Sequence, residues 1–112
     1  MKMNVDPELA SRRDLALIAE NTFAVLSKAI GRSSDRVTAE WSLTKDSPNR
    51  PQLLLTLMDG DRKFAPVAFV PEDLQPPEKA RRRFSRIWDS ILEKKIDEGL
   101  RELKAMAASV DE

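Results

Sequence analysis

The first apolar positions of the chain recur at three- and four-residue spacing. Leu15, Ile18, Ala19, Thr22, Val25, Leu26 and Ala29 fall on one side of a helical wheel, the signature of an amphipathic helix. Asp6-Pro7-Glu8 supplies a start: a capping carboxylate, a proline suited to the first helical position and an acid at the positive end of the dipole. Gly31, followed by Arg32, Ser33, Ser34 and Asp35, supplies a stop. The spacing predicts one helix over residues 7–30.

The period then changes from helical to alternating. In RVTAEWSLTK, residues 36–45, Val37, Ala39, Trp41 and Leu43 share one face, with Arg36, Thr38, Glu40, Ser42 and Thr44 on the other. Side chains alternate across a pleat, so this is a half-buried strand. Two prolines and Asn49 in the following DSPNRP predict a hairpin loop. A second strand is expected over 52–59, with Leu53, Leu55 and Leu57 on one face and Leu54, Thr56 and Met58 on the other. Asp59-Gly60-Asp61 reads as a turn, and residues 64–70 as a third strand. Pro66 cannot donate to a ladder, which places that strand at an edge. The pair Pro76-Pro77 opens a last helix over 77–108. The expected fold is therefore α+β in two layers: an N-terminal helix, an antiparallel hairpin or three-stranded meander, and a long C-terminal helix.

Length and composition narrow the picture further. The chain has 112 residues, 41% of them apolar and 34% charged, which suits one modest core over residues 1–112 and not two. Nineteen basic and nineteen acidic residues cancel to zero net charge, so polyanion binding would need a local patch and not a global field. Cysteine and histidine are absent, which removes disulfides, thiolate chemistry, the commonest general base and most zinc sites. The N-terminus lacks the apolar core of a signal peptide, and no apolar run approaches a membrane span. The expectation is a soluble, cytoplasmic protein with no membrane contact.

Candidate chemistry is thin. Asp59-Gly60-Asp61 could open a calcium loop, but Arg62-Lys63 stands where further oxygen ligands are needed. Glu72-Asp73 reads as the first turn of a short helix after Pro71, and Ser33, Ser34 and Ser47 have no imidazole to activate them. No glycine-rich phosphate loop exists. Neither an enzyme, a metal site nor a cofactor is expected.

The last helix carries what remains. With Phe84 set at zero on a wheel of about 100° per residue, Ala80, Phe84, Ile87, Trp88, Ile91 and Leu92 form one arc. Lys79, Arg82, Arg83 and Arg86 lie roughly opposite, on the expected solvent side. The arginines are thus not interleaved with the aromatic residues in space, which argues against bases stacking between them. Further along, Ile96, Leu100, Leu103, Met106 and Ala107 form a second arc displaced by about 110° from the first. Charge changes too: residues 77–96 hold seven basic and three acidic groups, residues 97–112 two basic and five acidic. A continuous helix over 77–108 would be about 48 Å long, more than the width of so small a domain.

These features point to a non-catalytic interaction module. It is expected to self-associate, as a homodimer, through Ile96, Leu100, Leu103, Met106 and Val110. The alternative is a nucleic-acid or polyanion-binding module that uses Lys79, Arg82, Arg83 and Arg86. A component that caps a larger protein partner would show the same apolar stripe.

Overall fold

A computed structural model describes the backbone of residues 1–44 and 51–110, with their side chains apart from Ser33 and residues 106–110. The elements in chain order are β1 (Lys2–Val5), α1 (Pro7–Ala10), α2 (Arg13–Asn21), α3 (Phe23–Ile30), a 3₁₀ turn (Gly31–Arg36), β2 (Val37–Leu43), β3 (Leu53–Asp59), β4 (Arg62–Lys63), β5 (Val67–Phe69), α4 (Pro71–Leu74) and α5 (Pro77–Val110). The chain is an α+β fold with a mixed sheet and a long C-terminal helix.

β2 and β3 form the antiparallel centre, in a register that pairs Val37 with Asp59, Trp41 with Leu55 and Leu43 with Leu53. The alternation in both strands sends Val37, Ala39, Trp41, Leu53, Leu55 and Leu57 into the core. The other face carries Thr38, Glu40, Ser42, Leu54, Thr56 and Met58, all half-buried. β4 and β5 both pair with β3, at opposite ends of it. The third strand expected over 64–70 is shorter, β5 over Val67–Phe69, and a separate two-residue strand, β4, pairs before it, with Phe64, Ala65 and Pro66 between the two. Pro66, inside that gap, has no N–H for the ladder, and pairing resumes at Val67. Gly60 turns the chain between β3 and β4 with a φ of 61°, a left-handed conformation that glycine adopts without steric cost. The expected loop at 46–51 lies, apart from Pro51, outside the described residues.

Two expectations need correction. A strand, β1, precedes the first helix and lies parallel to β2, pairing Lys2 with Thr38 and Val5 with Trp41. Parallel neighbours require a crossover, and α1–α3 provide it. Met3 and Val5 pair with inward-facing residues and pack against the core; four residues are too few for alternation to stand out in sequence. Second, the helix expected over 7–30 is three helices. At Arg12, ψ of 86° leaves the helical region, while the Ser11 hydroxyl donates to the carbonyl of Glu8 at 2.7 Å. At the buried Thr22 both the backbone N–H and the hydroxyl donate to the Ala19 carbonyl, at 3.1 and 2.6 Å. This tightens the turn to three-residue spacing and re-aims the chain. The apolar period survives both bends, because each segment keeps its own inward face: Leu9, then Leu15 and Ala19, then Leu26 and Ile30.

α5 spans 34 residues and continues through Gly99. Its buried residues among those described, Ala80, Phe84, Trp88 and Ile91, all belong to its first half. There Phe84 meets Trp41 and Phe69, with ring centroids 5.6–6.4 Å apart at inclined or edge-on angles, the arrangement aromatic quadrupoles favour. The Trp41 indole Nε1 is buried without an acceptor among the described residues.

Core removal and core relief should therefore differ sharply. Phe84→Ala is expected to cost about 3–5 kcal/mol in urea unfolding. Trp41→Phe should cost less, about 1–2 kcal/mol, because the cavity left by the smaller ring is partly offset by removal of an unpaired buried donor. At Gly99 an added Cβ meets no atom within 4 Å, so Gly99→Ala should raise helicity by circular dichroism and stabilise the helix by about 0.5–1 kcal/mol.

Candidate functional site

Every candidate residue lies on α5, and how α5 is anchored decides what each can do. The aromatic cluster fixes the rotation of its first half. Asp73, on the short α4, sits at its side because Leu74 is buried next to it. Its carboxylate accepts from Arg83 at 2.7 Å and pairs with Lys79 at 3.3 Å. The Arg83 guanidinium also lies over the Phe69 ring, 4.5 Å from its centroid, a favourable cation–π contact. Farther along, Lys95 pairs with Asp59 and Arg62 with Glu98, tying α5 to the β3–β4 turn. Arg62 donates a hydrogen bond to Glu98. That bond, with the added attraction of Arg62, Arg101 and Lys94 and against some cost of burial, holds the Glu98 carboxyl below its ordinary value. A lowered carboxyl contributes stability above the ordinary carboxylate range and loses it as pH falls through the lowered value.

The four basic residues singled out in the sequence are thus divided. Lys79 and Arg83 share the single carboxylate of Asp73, which offsets one of their two charges, whereas Arg82 and Arg86 are exposed and have no ion-pair partner among the described residues. The apolar stripe, by contrast, faces solvent. Ile96 is 62% exposed, Leu100 50% and Leu103 63%, and Leu92 joins them at 37%. From Leu100 to Ala105 every residue is exposed. Met106 and Val110 continue the helix backbone, but their side chains lie outside the described residues. The molecule extends 60 Å along its long axis and 27 and 20 Å across.

One feature escaped the sequence. Where the edge formed by β4 and β5 passes α5, an open cavity of about 550 Å³ lies between Phe64 and Val67 on the strand side and Ile87, Ser90 and Ile91 on the helix. Arg83, Arg86 and Lys94 also line it, and no acidic side chain does. Ile87 and Ile91 were legible as members of the apolar arc, but the gap above them depends on where an edge strand some 20 residues earlier comes to rest.

No helix among the described residues is long and apolar enough to cross a membrane, and no cluster of three or more acidic side chains among them could hold a metal ion. No family model, curated protein or solved structure matches the chain.

The Asp73 contact should behave as a partly buried, charge-assisted pair. Asp73→Asn is expected to cost about 1 kcal/mol at low ionic strength, with the loss shrinking in high salt. A double-mutant cycle with Arg83→Met, followed by urea unfolding, should give a coupling of the same order.

Proposed function

We propose that the chain is a non-catalytic protein-interaction module that forms a homodimer, with the C-terminal half of α5 lying antiparallel against the same segment of a second copy. The observation that carries this reading is the exposed row of Ile96, Leu100 and Leu103 on the part of α5 that runs beyond its own core. Single exposed apolar residues are ordinary on a soluble surface. A row at successive four-, four- and three-residue steps from Leu92 is a helix-packing face.

An isologous, antiparallel contact favours a second copy as the cover, because each row of Ile96, Leu100 and Leu103 then covers its counterpart. A contact limited to residues 92–110, about 28 Å of helix, falls at the small end of specific interfaces. The dimer is accordingly weak and concentration-dependent. Binding of nucleic acid or another polyanion through Lys79, Arg82, Arg83 and Arg86 is less favoured, because Asp73 offsets part of that charge and the whole chain carries no net charge.

Light scattering behind a sizing column tests the proposal. The mass of the wild-type chain should rise from one copy towards two with concentration. The double variant Leu100→Glu, Leu103→Glu should stay at one copy while keeping its circular dichroism and urea midpoint. A double variant that retains the wild-type mass at every concentration would sink this interface.

A further inference from the structure

The cavity between the β4–β5 edge and α5 has a composition that selects a ligand class. Its bed is apolar, formed by Phe64 and Val67 on the strand side and by Ile87 and Ile91 on the helix. Its rim is basic. Arg86, Ser90 and Lys94 follow one another at four-residue spacing, so they stand in a line on one flank of the helix. Arg86 and Lys94 are each one turn from Ser90, and both are exposed without an ion-pair partner among the described residues. Their long side chains can therefore both reach an anion seated over the Ser90 hydroxyl. Arg83, the third cation of the lining, is already held by Asp73 and the Phe69 ring; it closes the end of the bed and does not compete for the ligand.

We infer that this cavity binds a small amphipathic carboxylate, its hydrocarbon or aromatic body laid over Phe64, Val67, Ile87 and Ile91 and its carboxylate held by Arg86, Ser90 and Lys94. An uncharged apolar ligand would leave the cationic rim unused. A cationic one would be repelled, since the lining contains three basic residues and no acid. The size suits such a guest: about 550 Å³ lies within the range of roughly 300–1,000 Å³ typical of small-molecule sites. The guanidinium of Arg86 offers the planar pair of donors that matches a carboxylate, with Lys94 adding a second point charge. The site is open and its cations are solvated, which places affinity for a short-chain acid in the millimolar range. This site lies on a different flank of α5 from the Leu100–Leu103 face, turned by more than about 90° around the helix, and does not depend on dimerisation.

Titration with sodium octanoate, followed by amide chemical shifts in a ¹⁵N-labelled sample, tests the inference. Octanol and octylammonium of the same chain length serve as neutral and cationic controls. Octanoate should shift the amides of Phe64, Ile87, Ser90 and Ile91 in a saturable way, whereas the controls should bind at least about tenfold more weakly. The charge-reversed variant Arg86→Glu, Lys94→Glu should keep a dispersed spectrum, because both side chains are exposed, and lose at least about tenfold in octanoate affinity. Octanoate binding should persist in the Leu100→Glu, Leu103→Glu variant, so failure of the dimer and failure of this site are read separately. Equal shifts from octanol and octanoate, undiminished binding to the charge-reversed variant, or no saturable shift at these amides would overturn the assignment.

Discussion

The contact on which the rest of the molecule depends is the meeting of Trp41, Phe69 and Phe84. The rings come from β2, β5 and α5, all three are essentially buried, and the centroids lie 5.6–6.4 Å apart. Three large side chains from three elements fix more than an equal area of small ones would, because their preferred tilts leave few joint arrangements. Phe84 sets the rotation of α5 about its axis. With that angle fixed, Ile87 and Ile91 turn towards the β4–β5 edge, Arg86, Ser90 and Lys94 line up outside them, and Leu92 and Ile96 turn towards solvent. The cavity and the exposed stripe are both consequences of where one phenylalanine is held.

Anchoring along α5 is graded. Through Ile91 the helix is held by apolar burial against α3 and the sheet; from there to Glu98 it is held by two polar ties, Lys95 to Asp59 and Arg62 to Glu98. The Arg62–Glu98 tie joins exposed groups and contributes little, whereas Lys95 and Asp59 are partly buried and their tie is the firmer of the two. Beyond Glu98 the described side chains are exposed except for the partly covered Gly99. Local opening free energy should fall in the same order, since regions with few buried contacts open most readily.

How much of this was legible beforehand follows from the range of each interaction. β2 and β3 were readable because a sheet with one buried face imposes a strict period of two, and Val37 to Leu43 and Leu53 to Met58 obey it. α5 was readable for the corresponding helical reason. β1 was not: Met3 and Val5 alternate over too short a run, and a parallel partner lies more than 30 residues away. The breaks at Arg12 and Thr22 were hidden because hydrophobic period reports which residues face inward and not whether the axis bends. The pairing of Lys79 and Arg83 with Asp73 needed the seat of α4, which Leu74 provides. The cavity was least legible of all, since it is the space left where an edge interrupted at Pro66 fails to cover the flank of a helix.

The overhang of α5 raises a separate question, which is what its sequence was chosen for. Helicity alone does not require leucine or isoleucine at Ile96, Leu100 and Leu103, because alanine, glutamate and lysine form helices as well or nearly so. The flanking Arg101, Glu102, Lys104 and Ala105 already supply good helix formers, and continuity with the anchored first half removes the cost of nucleation. Glutamate or lysine at those three positions would have given the same helix with better solubility. Large apolar side chains there gain nothing from the core, whose last member among the described residues is Ile91, and they expose surface that favours association. That cost is offset only when something covers the face, so the choice of side chains, and not the helix itself, is what argues for a partner.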